Sequence, residues 1–166
     1  MKLKRALSLR TIVTTIYVCS VVIYLFFGIQ PADAATYEIT GQLEIPAIGL
    51  TSDITTLSLE NGELKTPDTI IGSYSRSDSK IFLVGHRSTV FKDLIAVRPG
   101  DLISYGNEKF KVLEMSIEVK ESISMSKLLA PDKNNEKTLV LMTCAGESRE
   151  NGDATHRLII TAKLTY

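Results

Sequence analysis

Past residue 36 the chain is written in short extended runs separated by turn signals, a rhythm that suits strands and leaves no room for long helices. Tyr37 to Ile45 partly alternates and then meets Pro46. Thr51 to Leu59 is followed by Asn61-Gly62, a strong turn pair. Lys80 to Gly85 is a short apolar run ending in glycine, as expected of a buried strand. Leu102 to Tyr105 and Phe110 to Val119 flank Gly106-Asn107, a second hairpin signal. Lys137 to Thr143 and Arg157 to Leu164 are the two clearest strands. Phe91 to Ala96 can make one helical turn, and Ser124 to Leu129 a short helix stopped before Pro131. Seven or eight short strands at this spacing predict an all-β fold, a closed barrel or a sandwich. About 130 residues suffice for one such core.

The segment before residue 36 obeys a different rule. Thr11 to Ile29 is 19 residues without a charge, close to the ~20 that span a bilayer as a helix. Lys2, Lys4, Arg5 and Arg10 precede it and predict a cytoplasmic N-terminus. Ala32-Asp33-Ala34 offers a signal-peptidase site, but signal-peptide apolar cores run ~7–15 residues, so a retained anchor is favoured over cleavage. Both readings export the rest of the chain. The expected organisation is a basic segment and transmembrane helix at 1–29, a linker at 30–36, and an exported domain at 37–166. The exported part is acidic on balance, since four of the 19 basic residues lie ahead of the apolar run and all 19 acidic residues follow it. That excludes a nucleic-acid partner, which needs a basic surface.

There are two cysteines. Cys19 lies inside the apolar run, so Cys144 stands alone in the exported domain. An unpaired cysteine in an oxidising compartment is buried and inert, paired with another chain, or a reactive thiol. Its surroundings favour the last. Cys144 closes the run KTLVLMT, and Arg157 opens RLIITAKL after a polar stretch from Ala145 to His156, which suggests a long loop. If these strands are antiparallel neighbours, Cys144 and Arg157 share one rim of the barrel. His86 follows the run KIFLVG; if that strand lies parallel to KTLVLMT, it reaches the same rim.

The three types are chemically complementary. A thiolate is a strong nucleophile, but an ordinary cysteine has a pKa of ~8.5 and needs help near neutrality. Histidine exchanges protons in that range. Arginine presents five fixed donors to a developing oxyanion and cannot act as a base. Each residue alone also has an ordinary reading: a hydrogen-bonded histidine, a surface arginine. His156 is an alternative base, but in a strand it faces away from its neighbour Arg157. A metal site from His86, Cys144 and His156 lacks ligand spacing, and Glu108, Glu114 and Glu118 suit solvated strand positions. No metal or cofactor is expected.

At these residues the chain resembles the sortase family. LEIPAIGLTSDI (Leu43 to Ile54) resembles that family's opening strand. LVGHRSTVFKDL (Leu83 to Leu94) resembles its histidine segment, and RPGDLISY (Arg98 to Tyr105) its G-D-x-I strand. TLVLMTC (Thr138 to Cys144) with HRLIITAKL (His156 to Leu164) resembles the T-L-x-T-C and R-L-I-V pair. The resemblance implies a single eight-stranded sortase-type β-barrel with one or two short helices, behind the N-terminal transmembrane helix. It implies a cysteine transpeptidase in which Cys144 attacks a sorting signal of LPxTG kind, His86 is the acid and base, and Arg157 stabilises substrate and oxyanion. Thr143 matches a position lining the site, and Glu121 to Leu129 a segment that helps recognise the signal. The implied partners are exported proteins bearing the signal and an amine from a peptidoglycan precursor or another protein. The implied place is the outer side of the cell membrane. Thr138-Leu139 stand displaced upstream of the usual spacing, which leaves the subclass open. With no aromatic lid motif before the barrel, a general anchoring role is favoured over pilus assembly. A secreted cysteine hydrolase with the same residues, or a non-catalytic anchored barrel, are the rival readings.

Overall fold

The computed structural model describes residues 37–165 except 61, 62, 132, 133, 135 and 151. Among the described residues there are ten strands: β1 (Ile39–Ile45), β2 (Leu50–Thr56), β3 (Leu59–Glu60), β4 (Glu63–Leu64), β5 (Ile71–Ser77), β6 (Lys80–Val84), β7 (Leu102–Tyr105), β8 (Glu108–Val119), β9 (Thr138–Ser148) and β10 (Ala154–Leu164). One α-helical turn, α1 (Met125–Leu128), and 3-10 turns at Pro46–Ile48, Leu94–Ala96 and Lys120–Ser122 complete the order. Eight strands close a barrel in the order β1-β2-β5-β6-β9-β10-β8-β7, and β7 pairs back with β1. The expected eight-stranded β-barrel is therefore present. Asn61-Gly62 and the apolar run Thr11 to Ile29, with the linker after it, lie outside the described residues. Among those described, no helix is long and apolar enough to cross a membrane.

The barrel fills because its strands alternate. Leu139 and Leu141 of β9 face inward and are fully buried, together with Leu43, Ile54, Phe110 and Ile160 from other strands. Each such side chain contributes roughly 1.5–3 kcal/mol when buried. β6 breaks the alternation, since all five of its residues are buried. The cause is a second apolar layer outside the barrel wall. Phe82 and Val84 of β6 join Val140 and Ile159 there, beneath Leu129, with Leu57, Leu64 and Met125 packed alongside. A strand covered on both faces is apolar throughout, which explains the unbroken run IFLV from Ile81 to Val84.

One expectation is corrected, and one strand was not expected. First, Ala145 to His156 is not a long loop. β9 continues to Ser148 and β10 starts at Ala154, with Ala154 opposite Ser148. Only residues 149–153 turn the corner. The strand ends overhang the packed wall, so they carry polar residues without leaving the ladder. Second, β5 occupies a serine-rich stretch that does not look like a strand. Its start is held by burial of Ile71, Gly72 and Ser73. Gly72 packs so closely on Leu57 that a Cβ there would lie 2.4 Å from Leu57 Cδ1.

Candidate active site

Register brings Cys144 and Arg157 together. β9 and β10 are antiparallel neighbours, and Cys144 is directly opposite Arg157. Both lie within the ladder, a few residues short of its end, so they belong to the barrel wall and not to its rim. By alternation Cys144 shares the outer face with Val140 and Met142, and Arg157 shares it with Ile159. β6 runs parallel to β9, with Val84 opposite Met142. Two residues beyond Val84, His86 arrives level with Cys144. Cys144 and Arg157 thus stand on the outer face of adjacent strands, and His86 lies just past the end of the strand beside them.

They line one groove of about 440 Å3. Phe82, Val84 and Met142 give it an apolar base, the β3–β4 hairpin contributes Leu59 and Leu64, and Met125 and Leu129 stand at the α1 side. An apolar trough with a few polar groups converging in it is the usual form of a ligand site. Two members of the segment Glu121 to Leu129 are therefore at the groove. A smaller cavity, about 230 Å3, adjoins Cys144 among Phe91, Ile95, Ile117 and Leu158.

The chain around His86 is fastened at several points. Gly85 has no side chain because Val90 and Phe91 fold back onto it; a Cβ would meet Val90 Cγ1 at 2.6 Å. The backbone N–H groups of Thr89 and Phe91 both donate to the His86 carbonyl. Thr143 donates from Oγ1 to the Gly85 carbonyl at 2.7 Å, and Arg87 donates from Nη1 to the Gly146 carbonyl at 2.7 Å. Thr143 borders the groove, yet its hydroxyl is buried and committed to this bond. Asp68 Oδ1 lies 3.7 Å from His86 Nε2, but its side chain is 95% exposed, so the pair is weak.

Arg157 is held more firmly, with its side chain 14% exposed. Its Nη1 donates to the carbonyls of Ala154 and His156, at 3.0 and 2.9 Å, and its Nη2 donates to Asp153 Oδ1 at 3.0 Å. Three of five donors are committed, which leaves two N–H groups of the fork without a partner among the described residues. Asp153 also accepts from Lys120. Its pKa is lowered to about 2, first by the Lys120 hydrogen bond and then by that from Arg157. His156 does not line the groove; its Nδ1 lies 2.8 Å from Thr155 Oγ1. Asp68, Asp153 and Lys120 carry no motif that distinguishes them in the sequence. Among the described residues no group of three or more His, Cys, Asp or Glu is placed to hold a metal ion.

A family model described as the sortase domain matches residues 43–165. The chain belongs to the sortase family. No curated protein matches it in sequence. Solved sortases share its fold at low identity. A lid mutant of sortase A from Corynebacterium diphtheriae is 21% identical with a TM-score of 0.60, covering 80% of this chain and 73% of its own. The SrtA sortase from Actinomyces oris is 20% identical with a TM-score of 0.58, covering 81% and 84%. A sortase D5 transpeptidase from Clostridium perfringens is 22% identical with a TM-score of 0.57, covering 78% and 80%. At these identities the likeness is one of fold.

Proposed function

We propose that this sortase is a cysteine transpeptidase that cuts the sorting signal of exported proteins and joins them to an amine of the cell wall or of another protein. The observation that carries the reading is the presence of Cys144, His86 and Arg157 along one apolar groove. In the proposed reaction the Cys144 thiolate attacks the carbonyl of the scissile peptide bond. The oxyanion is met by the uncommitted N–H groups of Arg157. His86 protonates the departing amine as the tetrahedral intermediate collapses to a thioester. An incoming amine then attacks the thioester, gives its proton to His86 and releases the thiolate. The bound signal lies in the groove between Leu64 and Met125, with Thr143 at its border. In this reading the amine approaches from the second cavity beside Cys144.

The same reading makes residues 1–29 a membrane anchor with a cytoplasmic N-terminus, 30–36 a linker, and 37–166 the extracellular catalytic domain. It rests on the uncharged run and the basic residues before it. Protease added to intact cells is expected to remove the domain and spare the N-terminus; full protection would refute this placement.

Intact-protein mass spectrometry tests the chemistry. The purified full chain is mixed with LPxTG-type peptides, with Cys144→Ala as control. A covalent acyl adduct that requires Cys144 is expected. It should decrease when triglycine is added, as ligated peptide appears. An adduct that passes only to water would identify a hydrolase, and no adduct from any peptide would overturn the proposal.

A further inference from the structure

The proposed oxyanion role of Arg157 raises the question of what aims its guanidinium. The two carbonyls that take Nη1 belong to the start of its own strand, so they hold only one arm of the fork. The other arm is held by Asp153, four residues earlier in the turn between β9 and β10. This carboxylate is used at both oxygens. Oδ1 accepts from Arg157 and Oδ2 from Lys120. One negative charge shared by two cations leaves the trio positive, so Arg157 is held without being neutralised.

The turn itself is built to keep Asp153 in place. Arg149 N–H donates to the Asp153 carbonyl at 2.7 Å, and Gly152 N–H donates to the Arg149 carbonyl at 2.9 Å. Gly152 sits at φ +79°, where a side chain is strained. Arg149 Nη2 then reaches Glu121 Oε1 at 2.5 Å. Lys120 and Glu121 are neighbours in the 3-10 turn that leads to α1. Two ion pairs thus fasten the β9–β10 turn to the segment that supplies Met125 and Leu129 to the groove.

We propose that Asp153 is a positioning residue: bridged to Lys120, it sets the Arg157 guanidinium against the groove. The proposal rests on the reading of Arg157 as the stabilising group. With its pKa lowered to about 2, Asp153 is ionised at any working pH and acts as a permanent strut.

The test uses the full chain and a fluorogenic LPxTG-type peptide. For Asp153→Ala, kcat is expected to fall about tenfold to a hundredfold, the range that misplacing a reacting group produces. KM should stay within about twofold and iodoacetamide should alkylate Cys144 at the normal rate, because neither depends on the aim of Arg157. Asp153→Glu should recover part of the loss. A kcat within about twofold of wild type in Asp153→Ala would overturn the proposal. So would a loss of kcat matched by an equal loss of alkylation, which would mean that the β9–β10 pairing had failed. Wild-type rates in Arg157→Lys would instead remove the oxyanion role itself.

Discussion

The two faces of β9 put the same stretch of chain to different uses. Leu139, Leu141 and Thr143 face into the barrel and are buried. Val140, Met142 and Cys144 face outward, and they pass from a buried valine to a partly exposed methionine and cysteine. The inner face is closely packed, so it fixes the strand in position and register. The outer face inherits that rigidity and spends none of its residues on the barrel core. A side chain on a packed strand is held more accurately than one on a loop. His86 shows the contrast, since it lies just past a strand end and needs a buried hydroxyl, an arginine and two backbone bonds to anchor its chain.

The division between the faces can be broken at either side. On the outer face, Arg157→Lys keeps the charge but not the fork. It should lower kcat about a hundredfold to a thousandfold, as removal of an oxyanion donor does, with the melting temperature almost unchanged. On the inner face, Leu141→Ala should reverse the pattern. It opens a cavity in the barrel and is expected to cost about 2–5 kcal/mol of stability, read by denaturant unfolding. The remaining folded protein should still form the Cys144 adduct. If Arg157→Lys destabilised the fold as much as Leu141→Ala, the two faces would not be separable.

Thr143→Val sharpens the same contrast, because it changes only the bond that joins the faces. It removes the donor to the Gly85 carbonyl at nearly constant volume, leaving a buried acceptor unpaired at about 1–3 kcal/mol. Turnover should fall more than Cys144 alkylation, since the shifted group is His86. Equal loss of both would mean that Thr143 supports β9 alone.

Much of this was legible because apolar alternation records which face is buried. The barrel strands that pack on both sides, KIFLV and TLVLM, announced themselves, and their expected parallel pairing brings His86 level with Cys144. Legibility failed where a strand leaves the packed wall. The overhanging ends of β9 and β10 are polar, so they looked like a loop and made the site look like a rim. β5 was hidden because Gly72 supplies one half of a close contact with Leu57, and its burial depends on that distant residue. Asp153 and Lys120 are 33 residues apart, and nothing local distinguishes either from a solvated charge. Ion pairs between turns follow from the completed topology and not from any pattern in the chain.

The smallest effect expected is also the one that isolates this ion-pair cluster. The folded-state pKa of Asp153 is depressed from 3.8 to about 2. A depressed carboxylate contributes stability that is present above its unfolded value and is lost as pH falls through its folded value. The contribution of Asp153 is therefore complete above about pH 4 and disappears toward about pH 2. Glu121, whose pKa is lowered chiefly by the Arg149 hydrogen bond, shifts in the same direction, so the wild type alone cannot separate the two. Asp153→Asn can, because it retains an acceptor for Arg157 and removes only the titration. The gap in melting temperature between wild type and Asp153→Asn should be small and constant from pH 7 to about pH 4, then close as the pH approaches 2. A gap that persists unchanged into strong acid would mean that the carboxylate acts there by shape and hydrogen bonding alone. Its charge would then play no part in fastening the turn to the groove wall.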